Sequence, residues 1–218
     1  MQALAERYRP RTLDQVCGQP KAVALCAGLL KHGVGGRAIW ISGPSGCGKT
    51  TLGRILAASL ADRLHTVEVD GGEVSVDWLR AAEHESAFWP LTGSGRAYIV
   101  NEAHGLSTVA IRKLLVLLER IPNHAVWIFT TTRAGEADLF EAKIDAGPFA
   151  SRCLPVALTA QGVRQPFAKR LREVAIAEGL DGDTPEAYER IVKDANSNLR
   201  EALQVIEARL LARAGAAA

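Results

Sequence analysis

Up to Leu158, five apolar runs of strand length recur along the chain. They are Ala38 to Ser42, Thr66 to Asp70, Ala97 to Val100, Ala125 to Thr131 and Leu154 to Leu158. Between them, apolar residues return with helical spacing near Lys21 to Lys31, Thr50 to Ala61, Val76 to Ala82 and Thr108 to Arg120. Runs that are apolar throughout predict strands buried on both faces, because a half-exposed strand would alternate. Strands of this kind alternating with helices predict an α/β fold, a parallel sheet with helices on both sides.

Beyond Leu158 the pattern changes. Gln161 to Glu178 is amphipathic, and Gly179 and Gly182 mark its end. Thr184-Pro185-Glu186 opens a second helix with a capping residue and a proline at the first helical position. Asn198-Leu199-Arg200-Glu201 has the form of a capping box and starts a third helix running toward Ala212. This predicts an α/β unit over 1–157 and a small all-helical unit over 158–218, with no internal repeat and no long linker. The alanine-rich end, Ala212 to Ala218, is expected to fray.

Charge narrows the picture little: a net +2 gives no argument for nucleic acid, so any basic surface has to come from local clustering. The cysteines Cys17, Cys26, Cys47 and Cys153 stand far apart without a C-x-x-C pair. That spacing argues against zinc and against a disulfide framework, and fits reduced thiols in a cytoplasm. No apolar stretch has the length of a membrane span, and Glu6 and Arg7 stand where a signal peptide needs its apolar core.

The sharpest chemical signal follows the first strand. Gly43-Pro44-Ser45-Gly46-Cys47-Gly48-Lys49-Thr50 is a complete G-x-x-x-x-G-K-[ST] loop, and it opens directly into a helix-forming stretch beginning at Thr51. Glycines let successive N–H groups converge on one centre, and the helix N-terminus adds partial positive charge. Lys49 can reach the β- and γ-phosphates, and Thr50 can ligate Mg²⁺. Residues 43–51 therefore predict a nucleoside triphosphate site.

Two later strands carry further candidates. The third ends in Asn101-Glu102-Ala103-His104, which places Glu102 to orient a water for attack on the γ-phosphate. Asn101 stands where proteins of this kind usually have Asp, holding Mg²⁺ through its hydration shell; it keeps an acceptor oxygen but loses the charge. Weakened metal affinity and slow or absent hydrolysis are expected. The fourth strand closes with Thr130-Thr131-Thr132, hydroxyls at a height where they could contact the γ-phosphate or its attacking water.

Taken in order, the boxes of this chain resemble those of clamp-loader subunits of the AAA+ ATPases, the replication factor C small subunits and bacterial gamma/tau subunits. Tyr8-Arg9-Pro10, Leu13 and Gly18-Gln19 resemble the opening box that lies along the adenine, which adds Val16 and Cys17 as cofactor-binding candidates. Asn101 to His104 resembles the D-E-A-[HD] box, and Leu114-Leu115 with Leu118-Glu119 resembles the helix after it. Thr131-Thr132 falls on the sensor-1 strand, Thr132 being the better candidate. Ser151-Arg152-Cys153 matches the S-R-C signature, and Asn198 to Leu203 resembles the sensor-2 helix.

The resemblance implies a fold and a set of roles. The fold is an AAA+ P-loop αβα sandwich with strand order 5-1-4-3-2, a nucleotide-binding domain over 1–157 and a helical lid over 158–218. ATP and Mg²⁺ are the implied cofactors, with Lys49, Glu102 and Thr132 catalytic and Thr50 and Asn101 on the metal side. Arg152 would act in trans as an arginine finger, and Arg200 would reach the γ-phosphate from the lid. The implied partners are other clamp-loader subunits in a ring, a sliding clamp and primed DNA, with the protein cytoplasmic or nucleoid-associated in a bacterial or phage-infected cell. An ATP-binding structural subunit with little hydrolysis, or another AAA+ DNA-remodelling or recombination ATPase, are the alternatives.

Departures from the family pattern accompany the matches. The stretch His84 to Phe88 lacks the four-cysteine zinc module of gamma/tau subunits. Val116 stands where many relatives carry a basic residue linking DNA to catalysis. Arg80, Arg112 and Lys113 are on the helices expected to face DNA. The sequence also ends where family members continue into a collar, which leads us to expect either a truncated chain or a short variant that assembles differently.

Overall fold

Strand β1 (Arg37–Ser42) lies between β4 (Ala125–Thr131) and β5 (Leu154–Ala157), pairing in parallel with both. On the other side of β4 come β3 (Arg96–Asn101) and then β2 (Thr66–Asp70), also parallel, so the order is β2-β3-β4-β1-β5. This is the order expected from the resemblance. The computed structural model describes residues 2–90, 93, 95–132, 136, 139, 145–180 and 183–216.

Burial along the sheet follows its topology. All seven residues of central β4 are buried, whereas none of edge strand β2 is. Successive side chains on a strand point to opposite faces, and here the two faces differ in kind. One face presents Trp40, Tyr98, Trp127 and Phe129 to helices α4 (Val76–Ser86) and α5 (Thr108–Leu117). Tyr98 stacks on Trp127 with ring centroids 4.5 Å apart. Rings of this size remove roughly 150–250 Å² each from water, on the order of 4–6 kcal/mol apiece.

The opposite face carries Ile39, Ile41, Ile99, Val126 and Ile128, against α2 (Pro20–His32) and α3 (Lys49–Ala58). Branched aliphatic side chains make this layer thin. Helix α3 comes close enough that a Cβ on Gly53 would lie 3.3 Å from Ile128 Cγ2. The phosphate-loop helix is thus anchored to the middle of the sheet, which fixes where its N-terminus points.

A third core joins α7 (Arg164–Ala177), α8 (Pro185–Asp194) and α9 (Leu199–Ala216), through Phe167, Leu171, Tyr188 and Ile206. Leu4 of the short helix α1 (Leu4–Arg7) is buried in that same cluster. The Tyr8 hydroxyl and the Arg7 guanidinium both engage Glu178 at the end of α7. The chain's first helix therefore packs on its last ones. Gln19, 2% exposed, ties the α/β part to the start of the helical part: Nε2 donates to the Thr159 carbonyl at 2.8 Å and Oε1 accepts from Thr159 N at 3.0 Å.

Elements differ from expectation mainly at their ends. Helix α4 runs on to Ser86, and α7 begins only at Arg164, after Gly162 at φ 72°. A helix α6 (Ala146–Ser151) precedes β5, where the apolar pattern is too short to announce one. Among the described residues, no helix is long and apolar enough to cross a membrane.

Candidate functional site

Gly48, in the left-handed region at φ 104°, ends the loop, and α3 begins at Lys49 with no side chain capping its first turn. Uncapped N–H groups at a ten-residue helix leave donors and partial positive charge for an anion. Lys49 is buried, and its Nζ donates to the carbonyls of Gly43 at 3.1 Å and Pro44 at 2.9 Å. Burial pulls the Lys49 ammonium below the usual lysine pKa; Cys47 and Glu102 oppose this, and Arg200 adds to it. An ammonium so placed gains from a polyphosphate.

Asn101, ending β3, forms the next contact. Its Oδ1 accepts from the Thr50 hydroxyl at 3.1 Å and from the Thr130 hydroxyl at 2.9 Å. Its Nδ2 donates to Glu68 Oε1 at 2.7 Å. Thr130 is thus the threonine of the triplet that reaches this node. Thr131 is buried with its hydroxyl 3.2 Å from His104 Nδ1, and Thr132 lies just past β4 without lining the cleft.

Glu102 follows in the left-handed region, φ 47° and ψ 51°, a conformation costing a non-glycine residue about 1–3 kcal/mol. The backbone of Gly71 is packed against it: a Cβ there would lie 2.6 Å from the Glu102 carbonyl oxygen. This turn brings the Glu102 side chain to the cleft, with His104 Nδ1 3.5 Å from Oε2.

The cleft encloses about 930 Å³, part of it open to solvent. Residues 45–51 and Glu102 supply its polar lining, and Tyr8, Pro10, Val16 and Cys17 line it as well. Arg9 also lines it, donating from Nη1 to the Thr51 hydroxyl at 2.9 Å. The helical part closes the cleft with Phe167 and Arg170 from α7 and Leu199, Arg200 and Leu203 from α9. Asn198 caps α9, its Oδ1 accepting from the N–H groups of Arg200 and Glu201, and the Glu201 carboxylate accepts from the Asn198 side-chain amide. The capping box expected there is thus present, with the return bond made to a side chain. Asn198 also sits directly on the phosphate loop, since a Cβ on Gly46 would lie 1.6 Å from its Oδ1.

Of the residues the sequence predicts for the site, Tyr8, Arg9, Pro10, Val16, Cys17, Ser45, Gly46, Cys47, Gly48, Lys49, Thr50, Thr51, Glu102 and Arg200 all line this one cleft. Gly43, Pro44, Asn101, Thr132 and Arg152 do not line it. Sequence reasoning missed Ala5, Phe167, Arg170, Leu199 and Leu203; the i, i+4 pair Leu199 and Leu203 beside Arg200 was the available signal. Arg152 is engaged elsewhere, by Glu119. Of the basic residues on the helices expected to face DNA, Arg80 pairs with Asp77, Arg112 with Asp145 and Lys113 with Glu83.

Residues 39–145 match the ATPase family associated with various cellular activities (AAA). A 160-residue alignment is 33% identical to DNA polymerase III subunit gamma/tau of Mycobacterium tuberculosis, covering 60% of this chain and 27% of that one. An alignment of 229 residues is 28% identical to DNA polymerase III subunit gamma of Buchnera aphidicola, covering 94% of this chain and 61% of that one. The chain therefore spans about a quarter of the mycobacterial subunit and less than two thirds of the Buchnera one. In fold, RuvB of Thermotoga maritima, a Holliday junction branch migration motor, superposes with a TM-score of 0.68 at 20% identity, over 92% of this chain and 64% of that one. Residues 39–145 thus carry an AAA ATPase domain, and the chain is homologous to DNA polymerase III gamma and tau subunits.

Proposed function

We propose that this chain is an ATP-binding and ATP-hydrolysing subunit of a clamp-loader-like assembly. The observation that carries the proposal is the convergence on one cleft of an uncapped helix N-terminus, a buried ammonium and a lid arginine. Loop N–H groups and Lys49 bind the β- and γ-phosphates, and the apolar pocket of Tyr8, Pro10, Val16 and Cys17 takes the base. Thr50 and Asn101 are the residues that would hold Mg²⁺, which supplies positive charge against the phosphate oxygens.

Glu102 orients a water toward the γ-phosphate and accepts its proton. Thr132 is proposed to sense the γ-phosphate from the end of β4. Arg200 reaches the same phosphate from the helical part, so that bound nucleotide sets the angle between 1–157 and 158–218. Arg152 serves the site of a neighbouring subunit, stabilising charge on the transferring phosphoryl group, an effect worth ~10³ to 10⁵ in rate. ATP binding then tightens subunit interfaces, and hydrolysis releases a sliding clamp onto primed DNA in the cytoplasm or at the nucleoid. The ion pairs on Arg80, Arg112 and Lys113 favour DNA contact by the assembly over contact by these three residues.

The test is ATP turnover with and without primed DNA and a sliding clamp, comparing wild type with Glu102→Gln. Stimulation that disappears in Glu102→Gln supports the proposal; equal turnover in both proteins under all conditions sinks it. A second reading, an ATP-binding structural subunit with little turnover, is favoured by the neutral Asn101. It predicts tight nucleotide binding with no stimulation by DNA and clamp.

A further inference from the structure

The amide of Asn101 has two chemically different ends, and the structure shows what decides between them. Glu68 is a carboxylate and only accepts, so the end of Asn101 that touches it at 2.7 Å has to be the N–H₂ donor. The hydroxyls of Thr50 and Thr130 can donate or accept, so by themselves they would tolerate either end. With Nδ2 committed to Glu68, Oδ1 is left facing Thr50 and Thr130, and it accepts from both. Glu68 is itself fixed by Arg54, which donates from Nε to Oε2 at 2.8 Å and from Nη2 to Oε1 at 3.1 Å.

We infer that Glu68 is a positioning residue for the metal side of the site: it orients Asn101, and its presence makes asparagine, not aspartate, the residue that fits at 101. This rests on the proposed ATP reading only for the metal; the orientation stands on the contacts themselves. An aspartate at 101 would set two carboxylates against each other across the contact that is now a donor–acceptor pair. The neutral side chain at 101, which by sequence reads as a loss of metal affinity, is here one half of a matched pair. Asn101→Asp is therefore expected to weaken the site unless Glu68 changes too. A glutamine at 68 would restore the match with the donor moved to the other partner.

The experiment is a double-mutant cycle over Asn101→Asp and Glu68→Gln, with Glu68→Ala alongside. Two quantities are read: the melting temperature without nucleotide, and the Mg²⁺ midpoint for binding of a fluorescent ATP analogue, mant-ATP. Asn101→Asp alone is expected to lower the melting temperature by about 2–4 °C, and the pair of changes together to restore it. Glu68→Ala is expected to raise the Mg²⁺ midpoint about 10-fold, within the range for lost outer-shell partners, while the paired variant returns to the wild-type midpoint. A purely structural ion pair with Arg54 would not be rescued by moving the carboxylate to 101. The inference is overturned if Asn101→Asp alone equals or exceeds wild type in both readouts, or if the two substitutions are additive. Failure of wild type to bind mant-ATP would sink the ATP reading, and the melting cycle would still decide the role of Glu68.

Discussion

Arg152 donates from Nη2 to Glu119 Oε1 at 2.5 Å and from Nη1 to the Pro148 carbonyl at 2.8 Å, which holds the guanidinium at the end of α6 against the turn after α5. Neither residue of the pair lines the chain's own cleft. Arg152→Ala is therefore expected to leave mant-ATP affinity of the isolated chain unchanged. Turnover by the assembled complex should fall by ~10³ or more. Binding and steady-state hydrolysis measured on the same preparations check both halves. A matched loss of affinity in the isolated chain would place Arg152 in its own site instead.

Gly46 is the point where the helical part touches the phosphate loop. Its φ of 68° disfavours any side chain, and a Cβ would collide with Asn198 Oδ1. Gly46→Ala should both strain the loop and push α9 away, weakening ATP binding about 10-fold or more by titration calorimetry, since the cleft-lining Arg200 moves with that helix. Unchanged affinity would mean that α9 does not close on the loop.

Much of the architecture was legible in the chain because each signal was local. All five apolar runs became strands within one residue of their predicted ends at both termini, and the phosphate loop announced its own strand and helix. Partners distant in sequence were not legible. Nothing in Thr66 to Asp70 indicates that Glu68 meets Asn101, because that contact exists only once β2 lies beside β3. Likewise, four residues at the start of the chain give no sign that Leu4 belongs to the core of the last helices. The left-handed Glu102 was hidden too, since its support comes from Gly71 on a separate turn.

Trp127 is fully buried, and among the described residues its Nε1–H has no hydrogen-bond partner. An unpaired buried donor costs about 1–3 kcal/mol, which offsets part of what the ring's burial contributes. Trp127→Phe removes the donor and keeps an aromatic ring on Tyr98, so its melting temperature should stay within about 2–4 °C of wild type. Trp127→Ala opens a cavity and should cost about 3–5 kcal/mol in urea unfolding. If the two substitutions were equally damaging, the unpaired indole would carry no cost.

Accepting from the Tyr8 hydroxyl, together with the Arg7 pair, holds the Glu178 carboxyl below its ordinary pKa. A lowered folded-state value means the carboxylate's contribution is complete above the ordinary carboxylate range and is lost as pH falls through the folded value. The melting-temperature difference between wild type and Glu178→Gln should thus be constant near neutrality and shrink toward zero in acid. A difference that grows on acidification would contradict the assigned direction.

Capture of the ATP polyphosphate by loop amides and the Lys49 ammonium is measured by calorimetric titration of MgATP into wild type and Lys49→Ala. Lys49 is buried with a lowered pKa, so removing it should leave the melting temperature unchanged or higher while ATP affinity falls about 100-fold or more. Equal affinity in the two proteins, or no binding by wild type, would rule out that mode of capture.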